Sequence, residues 1–160
     1  PWALQGEPTY RAVALTQIPG TVELPDLMAP NPLSVLDEQV VGDIGTDPVQ
    51  CSILVFPYEE GGPDGASFEE MQSEEVTAQM LEDMKTPPAM MTLLGSPQRV
   101  THGDTLCVSA RYRFDNGLAV DSIVAILDGA LVRLDCVMWP DVEGYAGVAA
   151  HAAGSITLGE

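Results

Sequence analysis

Alternation of apolar and polar residues across positions 105–138 predicts three consecutive strands of an antiparallel sheet. An Asn-Gly pair at 116–117 and an Asp-Gly pair at 128–129 interrupt this pattern. Both pairs are typical of two-residue hairpin turns of type I′. Two-residue loops would place Arg111 opposite Ser122 in the first hairpin and Val124 opposite Arg133 in the second.

This register divides the meander into two faces, one of them largely apolar and therefore expected to form the core. The predicted core face carries Val108, Ala110, Tyr112, Asp121, Ile123, Ala125, Val132, Leu134 and Cys136. The opposite, half-solvated face carries Ser109, Arg111, Arg113, Val120, Ser122, Val124, Arg133, Asp135 and Val137.

Three of the five arginines, Arg111, Arg113 and Arg133, are thus predicted to share one face of one sheet. One interpretation is that they pair with Asp135 and neighbouring acids to hold a covering loop or helix. The other is that they form a small patch that receives an anion.

A helix is predicted to begin after Ser67, because Ser67 and Glu70 have the spacing of a capping box. Its apolar stripe consists of Phe68, Met71, Val76, Met80, Leu81 and Met84, and prolines at 87 and 88 end it. The methionines Met80, Met84, Met90 and Met91 allow two interpretations: ordinary core filling, or an adaptable binding groove centred on Met80 and Met84.

The remaining elements are shorter. Two strands are expected around the turn at Pro19 and Gly20, followed by a proline-rich crossing in which residues 33–41 form a short strand or a helical turn. Residues 51–58 read as a buried strand. A last helix, capped by Asp141 and stopped by Gly154, is expected to lead to a short strand at 155–158 that docks on the sheet.

The net charge of the chain limits the classes of partner that it can bind. With 24 acidic and 6 basic residues in 160, the net charge is −18. Nucleic acid and anionic membrane surfaces are therefore disfavoured, since both require a positive protein surface. Such acidity serves solubility or attracts a basic partner. The longest apolar runs are too short to span a membrane. The start at Pro1, without methionine, is typical of a mature or trimmed product, and the sequence leaves open whether an export signal preceded Pro1.

Chemistry-bearing residues are few. Cys51, Cys107 and Cys136 lack metal-ligand spacing, so buried apolar thiols are expected, and the strand register keeps Cys107 and Cys136 from bridging. A Cys–His dyad would need Cys107 or Cys51 beside His102 or His151, with Asp104 to orient the His102 base. The acidic loop at 59–65 has oxygen ligands but not the spacing of a calcium loop. We expect no catalytic residue, metal or cofactor.

Element order over residues 50–158 resembles the PsbP-like fold. An amphipathic helix precedes a strand near GSPQRVTHGD; the meander follows, then VRLDCVMWPD leads into an alanine-rich helix, and S-I-T-L closes the chain. This fold occurs in photosystem II extrinsic subunits, a Ran-binding import factor and bacterial secreted proteins and lipoproteins, including those of the actinobacterial LpqN type. The resemblance implies an α/β (α+β) class: an αβα sandwich with a central antiparallel sheet and two main helices. The length of 160 residues and the lack of a clear boundary predict a single domain spanning 1–160.

Members of this group are mostly binding or assembly proteins without catalytic residues. The resemblance thus implies a non-enzymatic module that makes protein–protein contacts outside the cytoplasm. The alternative is a cytosolic, acidic secretion chaperone or immunity-type adaptor for a basic or apolar client. An undetected hydrolase ranks last. The sequence does not determine the oligomeric state.

Overall fold

The computed structural model describes residues 9–15, 19–26, 28–30, 39–44, 47–58, 67–87, 89–138 and 147–159. The strands are β1 (Tyr10–Ala14), β2 (Gly20–Pro25), β3 (Met28–Pro30), β4 (Gln39–Ile44), β5 (Asp47–Pro57), β6 (Met91–His102), β7 (Thr105–Phe114), β8 (Ala119–Leu127), β9 (Ala130–Met138) and β10 (Thr157–Leu158). The helices are α1 (Phe68–Met71), α2 (Glu74–Met84) and α3 (Val148–Ser155). None of these helices is long and apolar enough to cross a membrane.

Seven strands form one antiparallel sheet in the order β3-β4-β5-β9-β8-β7-β6. Helix α3 packs on one face of this sheet, and α2 packs on the opposite face over β6 and β7. A second sheet, β1-β2-β10, joins the predicted N-terminal hairpin to the end of the chain. The expected α/β sandwich with a central antiparallel sheet is confirmed, although the closing strand docks on the hairpin rather than on the large sheet.

The second turn of the meander keeps the predicted register, and the first does not. Leu127 lies opposite Ala130 across a two-residue loop, as expected. In the first hairpin Arg111 lies opposite Asp121 rather than Ser122. The loop there has three residues: the Phe114 amide donates to the Leu118 carbonyl at 2.9 Å.

Backbone conformation explains the extra loop residue. A type I′ turn needs positive φ at both central residues. Gly117 has φ +95° and Gly129 has φ +100°, but neither Asn116 nor Asp128 has a positive φ. The Asn116 side chain instead accepts a hydrogen bond from the Leu118 amide at 3.1 Å. The prediction of two type I′ turns was therefore wrong.

A shift of one residue moves every side chain of β7 to the other face relative to β8 and β9. Val108, Ala110 and Tyr112 now share a face with Ser122 and, across β8, with Arg133 and Asp135. Cys107 and Arg111 join the face of Ile123 and Leu134, both of which are buried as predicted.

The main core lies between the large sheet, the N-terminal hairpin and α3. Val148, Ala149, Ala152 and Ala153 supply the buried side of the helix. The sheet contributes Cys51, Ile53, Val55, Cys107, Ile123, Ala125, Val132, Leu134 and Cys136, and β2 adds Val22 and Leu24. Alanine side chains let α3 approach the sheet closely, which is why so short a helix can be so thoroughly buried.

A disulfide joins Cys51 to Cys136 in this core. The two residues lie directly opposite each other on the neighbouring strands β5 and β9, with Cα atoms 4.1 Å apart. The expectation of buried free thiols was wrong for this pair, and it holds for Cys107. Periodicity sets no register between strands so far apart along the chain, and therefore it does not predict the pairing of these two cysteines.

The predicted helix after Ser67 is split in two. Ser67 Oγ accepts from the Glu70 amide at 3.1 Å and caps α1, whereas Ser73 Oγ accepts from the Val76 amide at 3.2 Å and caps α2. The guanidinium of Arg99, on β6, donates to the Gln72 carbonyl at 2.9 Å and holds the break against the sheet. The acidic loop at 59–65, residues 31–38 and the predicted cap at Asp141 lie outside the described residues.

Gly154 does not stop α3, which continues to Ser155. A Cβ at Gly154 would meet the His102 carbonyl oxygen at 2.9 Å, in the tight turn between β6 and β7. Glycine is therefore required at this position for close packing of the helix on the turn rather than for helix termination.

We expect Gly154→Ala to lower the free energy of unfolding by about 1–3 kcal/mol, because the added methyl group overpacks against backbone. Urea denaturation measures the change. Gly147→Ala is the matched control, since a Cβ there meets nothing within 4 Å; it should change stability by less than about 0.5 kcal/mol. Equal effects of the two substitutions would contradict this account of Gly154.

Candidate functional site: a groove between α2 and the sheet

The three predicted site arginines do not share a face. With the observed register, Arg111 and Arg113 lie on the α3 side of the sheet, whereas Arg133 lies on the α2 side. The prediction of a common arginine patch is therefore wrong, because the three-residue turn shifts β7 by one position relative to β8 and β9. Whether any of these arginines binds a ligand stays a prediction.

Two of the arginines pair with neighbouring acids, as the first interpretation expected, but both acids lie on strands of the same sheet rather than on a covering loop or helix. Arg111 binds Asp121 through two hydrogen bonds, of 2.6 Å from Nε and 3.0 Å from an Nη. The hydrogen bond to Asp121 raises the pKa of Arg111. Arg133 Nε lies 3.1 Å from a carboxylate oxygen of Asp135. Arg113 is exposed.

Met80, Met84 and Arg133, by contrast, do come together. They line a groove of about 300 Å³ between α2 and the uncovered part of the sheet, which we call the α2 groove. Its other lining residues are Phe56, Asp83, Thr86, Tyr112, Ser122, Val124 and Leu131. Helix α2 packs over β6 and β7, and the groove follows the edge of the helix toward β9 and the end of β5, where Phe56, Leu131 and Arg133 line it.

Ser122 lies in the groove lining and is only 1% exposed. It lies on β8 between Ala110 of β7 and Asp135 of β9. Among the described residues its hydroxyl has no hydrogen-bond partner. A buried hydroxyl group normally has one, so this atom marks a place where an external group fits.

Tyr112 fixes the helix side of the groove. Its hydroxyl donates to the Met84 carbonyl at 2.7 Å, where the last turn of α2 leaves carbonyls without partners in the helix. Burial raises the pKa of Tyr112, so the hydroxyl keeps its proton at neutral pH. The helix end is therefore held at a fixed distance from the sheet.

The outer wall of the groove is apolar and open. The Phe56 side chain, near the end of β5, is 50% exposed although it is large and aromatic. Met80 and Met84 face it from α2. Of the four methionines singled out from the sequence, these two line the groove; Met91 packs in the cluster around Tyr112, and Met90 is 71% exposed in the preceding turn.

Sequence reasoning missed Phe56, Tyr112 and Ser122 as groove residues. The two-residue turn predicts Tyr112 on the same face as Ile123, and the continuous apolar run around Phe56 predicts a strand buried on both faces. Ser122 is the one available signal in the sequence, because it is a small polar residue that, with Asp121, interrupts an otherwise apolar strand β8.

A second, more polar cleft lies where α3 meets β2 and the β6–β7 turn, and both histidines line it. His151 Nε2 lies 2.9 Å from Glu23 Oε1, and its ring stacks on Tyr10 with centroids 3.6 Å apart. Among the described side chains, no three of His, Cys, Asp and Glu are placed to hold a metal ion together.

Cys107 is not an activated nucleophile. It is fully buried in the main core, and this burial raises the pKa of its thiol to about 11. Cys51, the other cysteine considered for a Cys–His dyad, is bonded to Cys136. Cys107 therefore stays protonated at neutral pH, and Cys51 has no free thiol.

We expect the raised pKa of Cys107 to make stability fall between pH 9 and pH 11. Below pH 9 the thiol is neutral in both states. Above it the unfolded thiol ionises first, which favours unfolding until the folded thiol ionises near pH 11. Denaturation of the native chain and of Cys107→Ala at several pH values measures the difference.

The difference between the two proteins isolates Cys107, because Tyr58 and Tyr112 also have raised pKa values but contribute equally to both. A difference in unfolding free energy that stays constant from pH 8 to pH 11 would show that Cys107 ionises alike in both states.

No family model and no curated protein matches the chain. Solved structures do. LpqN, involved in cell envelope biogenesis of Mycobacterium tuberculosis, aligns with a TM-score of 0.53 at 13% identity, over 95% of this chain and 91% of LpqN. Cyanobacterial PsbP (CyanoP) from Synechocystis aligns with a TM-score of 0.52 at 12% identity, over 97% and 95%.

A protein from Bacteroides thetaiotaomicron aligns with a TM-score of 0.52 at 10% identity, over 88% of this chain. This chain spans 45% of that longer protein and nearly all of the other two. At such low identity the likeness concerns the fold alone. The predicted resemblance to the PsbP-like fold is confirmed.

Proposed function

We propose that the protein is a non-enzymatic binding or assembly module. The proposal is based on its PsbP-like fold and on the disulfide that joins two central strands. The module works outside the cytoplasm and acts through protein–protein contacts. The Cys51–Cys136 disulfide is the observation that carries the proposal for the compartment, and the α2 groove supports the proposal for the contacts.

The disulfide favours an oxidising compartment. Thiols of cytosolic proteins are kept reduced, whereas structural disulfides form and persist in secreted and envelope proteins. Cys51 and Cys136 are both fully buried and directly opposed, so the bridge belongs to the folded core rather than to an accessible redox site. This weighs against the alternative of a cytosolic secretion chaperone or adaptor.

A protein partner suits the open side of the sheet. An aromatic side chain that is half exposed, beside two methionines, forms the kind of surface that a partner covers. LpqN, of similar fold, takes part in cell envelope biogenesis. The raised pKa of Cys107 and the 2.9 Å contact of His151 Nε2 with Glu23 Oε1 support a structural role for residues that a hydrolase would otherwise use.

In the source organism we expect the Cys51–Cys136 bridge to be oxidised. Cells are quenched in acid, denatured, and treated with a maleimide that adds a fixed mass to each free thiol. One of the three cysteines, Cys107, should react before reduction, and all three should react after it.

A Cys107→Ser variant is the control and should take up no label before reduction and two labels after it. Three labels on the native chain without reduction would place it in a reducing compartment and would refute the extracytoplasmic proposal.

The contact surface is tested by photocrosslinking in the same cells. We expect a photoreactive phenylalanine analogue at position 56 to give a covalent adduct with another protein, because Phe56 borders the groove. The same analogue at Met90, which is more exposed but does not line the groove, is the control. Absence of an adduct at position 56, or equal adducts at both positions, would contradict contact at this surface.

A further inference from the structure

The α2 groove offers one buried hydrogen-bonding group to a ligand. Ser122 is 1% exposed and belongs to the groove lining, and its hydroxyl has no hydrogen-bond partner among the described residues. Since a hydroxyl can both donate and accept, it suits a backbone amide or carbonyl of an incoming chain. A purely hydrocarbon ligand would leave this group unsatisfied.

The walls beside Ser122 are shaped for one apolar side chain. Met80 and Met84 are unbranched and adapt to different shapes, and Phe56 supplies a flat face. A volume of about 300 Å³ is at the lower end of ligand sites and accommodates a side chain rather than a folded element.

The charge around the groove selects a cation. Six acidic residues lie on α1 and α2, with no lysine or arginine within these two helices: Glu69, Glu70, Glu74, Glu75, Glu82 and Asp83. Asp83 itself lines the groove. The nearby bases are already paired, Lys85 with Glu82 at 3.0 Å and Arg133 with Asp135 at 3.1 Å.

The end of α2 adds to the same field. Met84 and Thr86 line the groove where α2 ends, and the carbonyls of a helix C-terminus carry partial negative charge. A second copy of this chain is a poor occupant, because two molecules of net charge −18 repel each other.

We propose that the α2 groove binds a cationic segment of a partner protein. The segment inserts one apolar side chain between Phe56 and the two methionines, bonds Ser122 through its backbone, and places lysine or arginine beside Asp83. This inference rests on the proposed role in protein contacts and names the chemistry of the partner.

The test uses synthetic ten-residue peptides with the oxidised native protein. One has a central leucine flanked by lysines, a second replaces the lysines by glutamates, and a third replaces the leucine by serine. Titration calorimetry measures the dissociation constants. We expect the lysine–leucine peptide to bind in the micromolar to millimolar range and the other two to bind at least about tenfold more weakly.

Variants locate the binding. Met80→Gln removes an apolar wall and Asp83→Lys reverses the charge in the groove, and each should weaken the lysine–leucine peptide by about tenfold. The matched controls are Met90→Gln, at an exposed methionine outside the groove, and Glu75→Lys, which changes the net charge of α2 equally. Each control should change affinity less than about threefold.

Three results would overturn the proposal: no binding of the lysine–leucine peptide at about 1 mM, equal binding of the glutamate peptide, or equal loss in the controls and the groove variants. Self-association that Met80→Gln abolishes would assign the groove to a second copy instead. If any of these occurs while the disulfide is oxidised in cells and position 56 gives protein adducts, only the cationic ligand is wrong.

Discussion

Pairing between β5 and β9 connects the first third of the chain to the meander. Eight residue pairs, from Gln50 opposite Val137 to Pro57 opposite Ala130, place the strand ahead of the helices beside the last strand of the meander. This pairing joins the two parts of the seven-stranded sheet and puts Ile53 and Leu134 together beneath α3. Without it, β3 and β4 would have no link to the rest of the sheet, and the N-terminal hairpin would lose one wall of its core.

The register of each strand then determines which of its side chains lie on each face of the sheet. One extra residue in the first meander turn sends Arg111 toward Asp121 on the α3 face and brings Tyr112 and Ser122 together on the α2 face. Tyr112 holds the C-terminal end of α2, and Arg99 holds its N-terminal side, so the helix covers β6 and β7. The part of the sheet that α2 does not cover becomes the groove. The length of one turn thus decides which side chains form this surface.

Much of the fold follows from local patterning. Alternation located the three meander strands, Ser67 located the first helix cap, and the element order indicated the PsbP-like fold. The register of the first hairpin failed because Asn-Gly serves two- and three-residue loops alike, and local sequence does not separate them. Three features depend on partners distant in sequence: the disulfide, the split of the helix at Ser73 and the packing role of Gly154. Periodicity carries no information about such partners. Of the site, sequence indicated Met80, Met84 and Arg133, but only the observed register places Ser122 and Tyr112 beside them.

The bridge between Cys51 and Cys136 encloses more than half of the chain, with 85 positions separating its ends. A protease that cuts a single peptide bond within that span leaves both fragments attached to each other. A molecule cut in this way stays in one covalent piece, and its paired core strands β5 and β9 remain joined. The disulfide therefore keeps the two fragments covalently linked after backbone cleavage at one site within the loop.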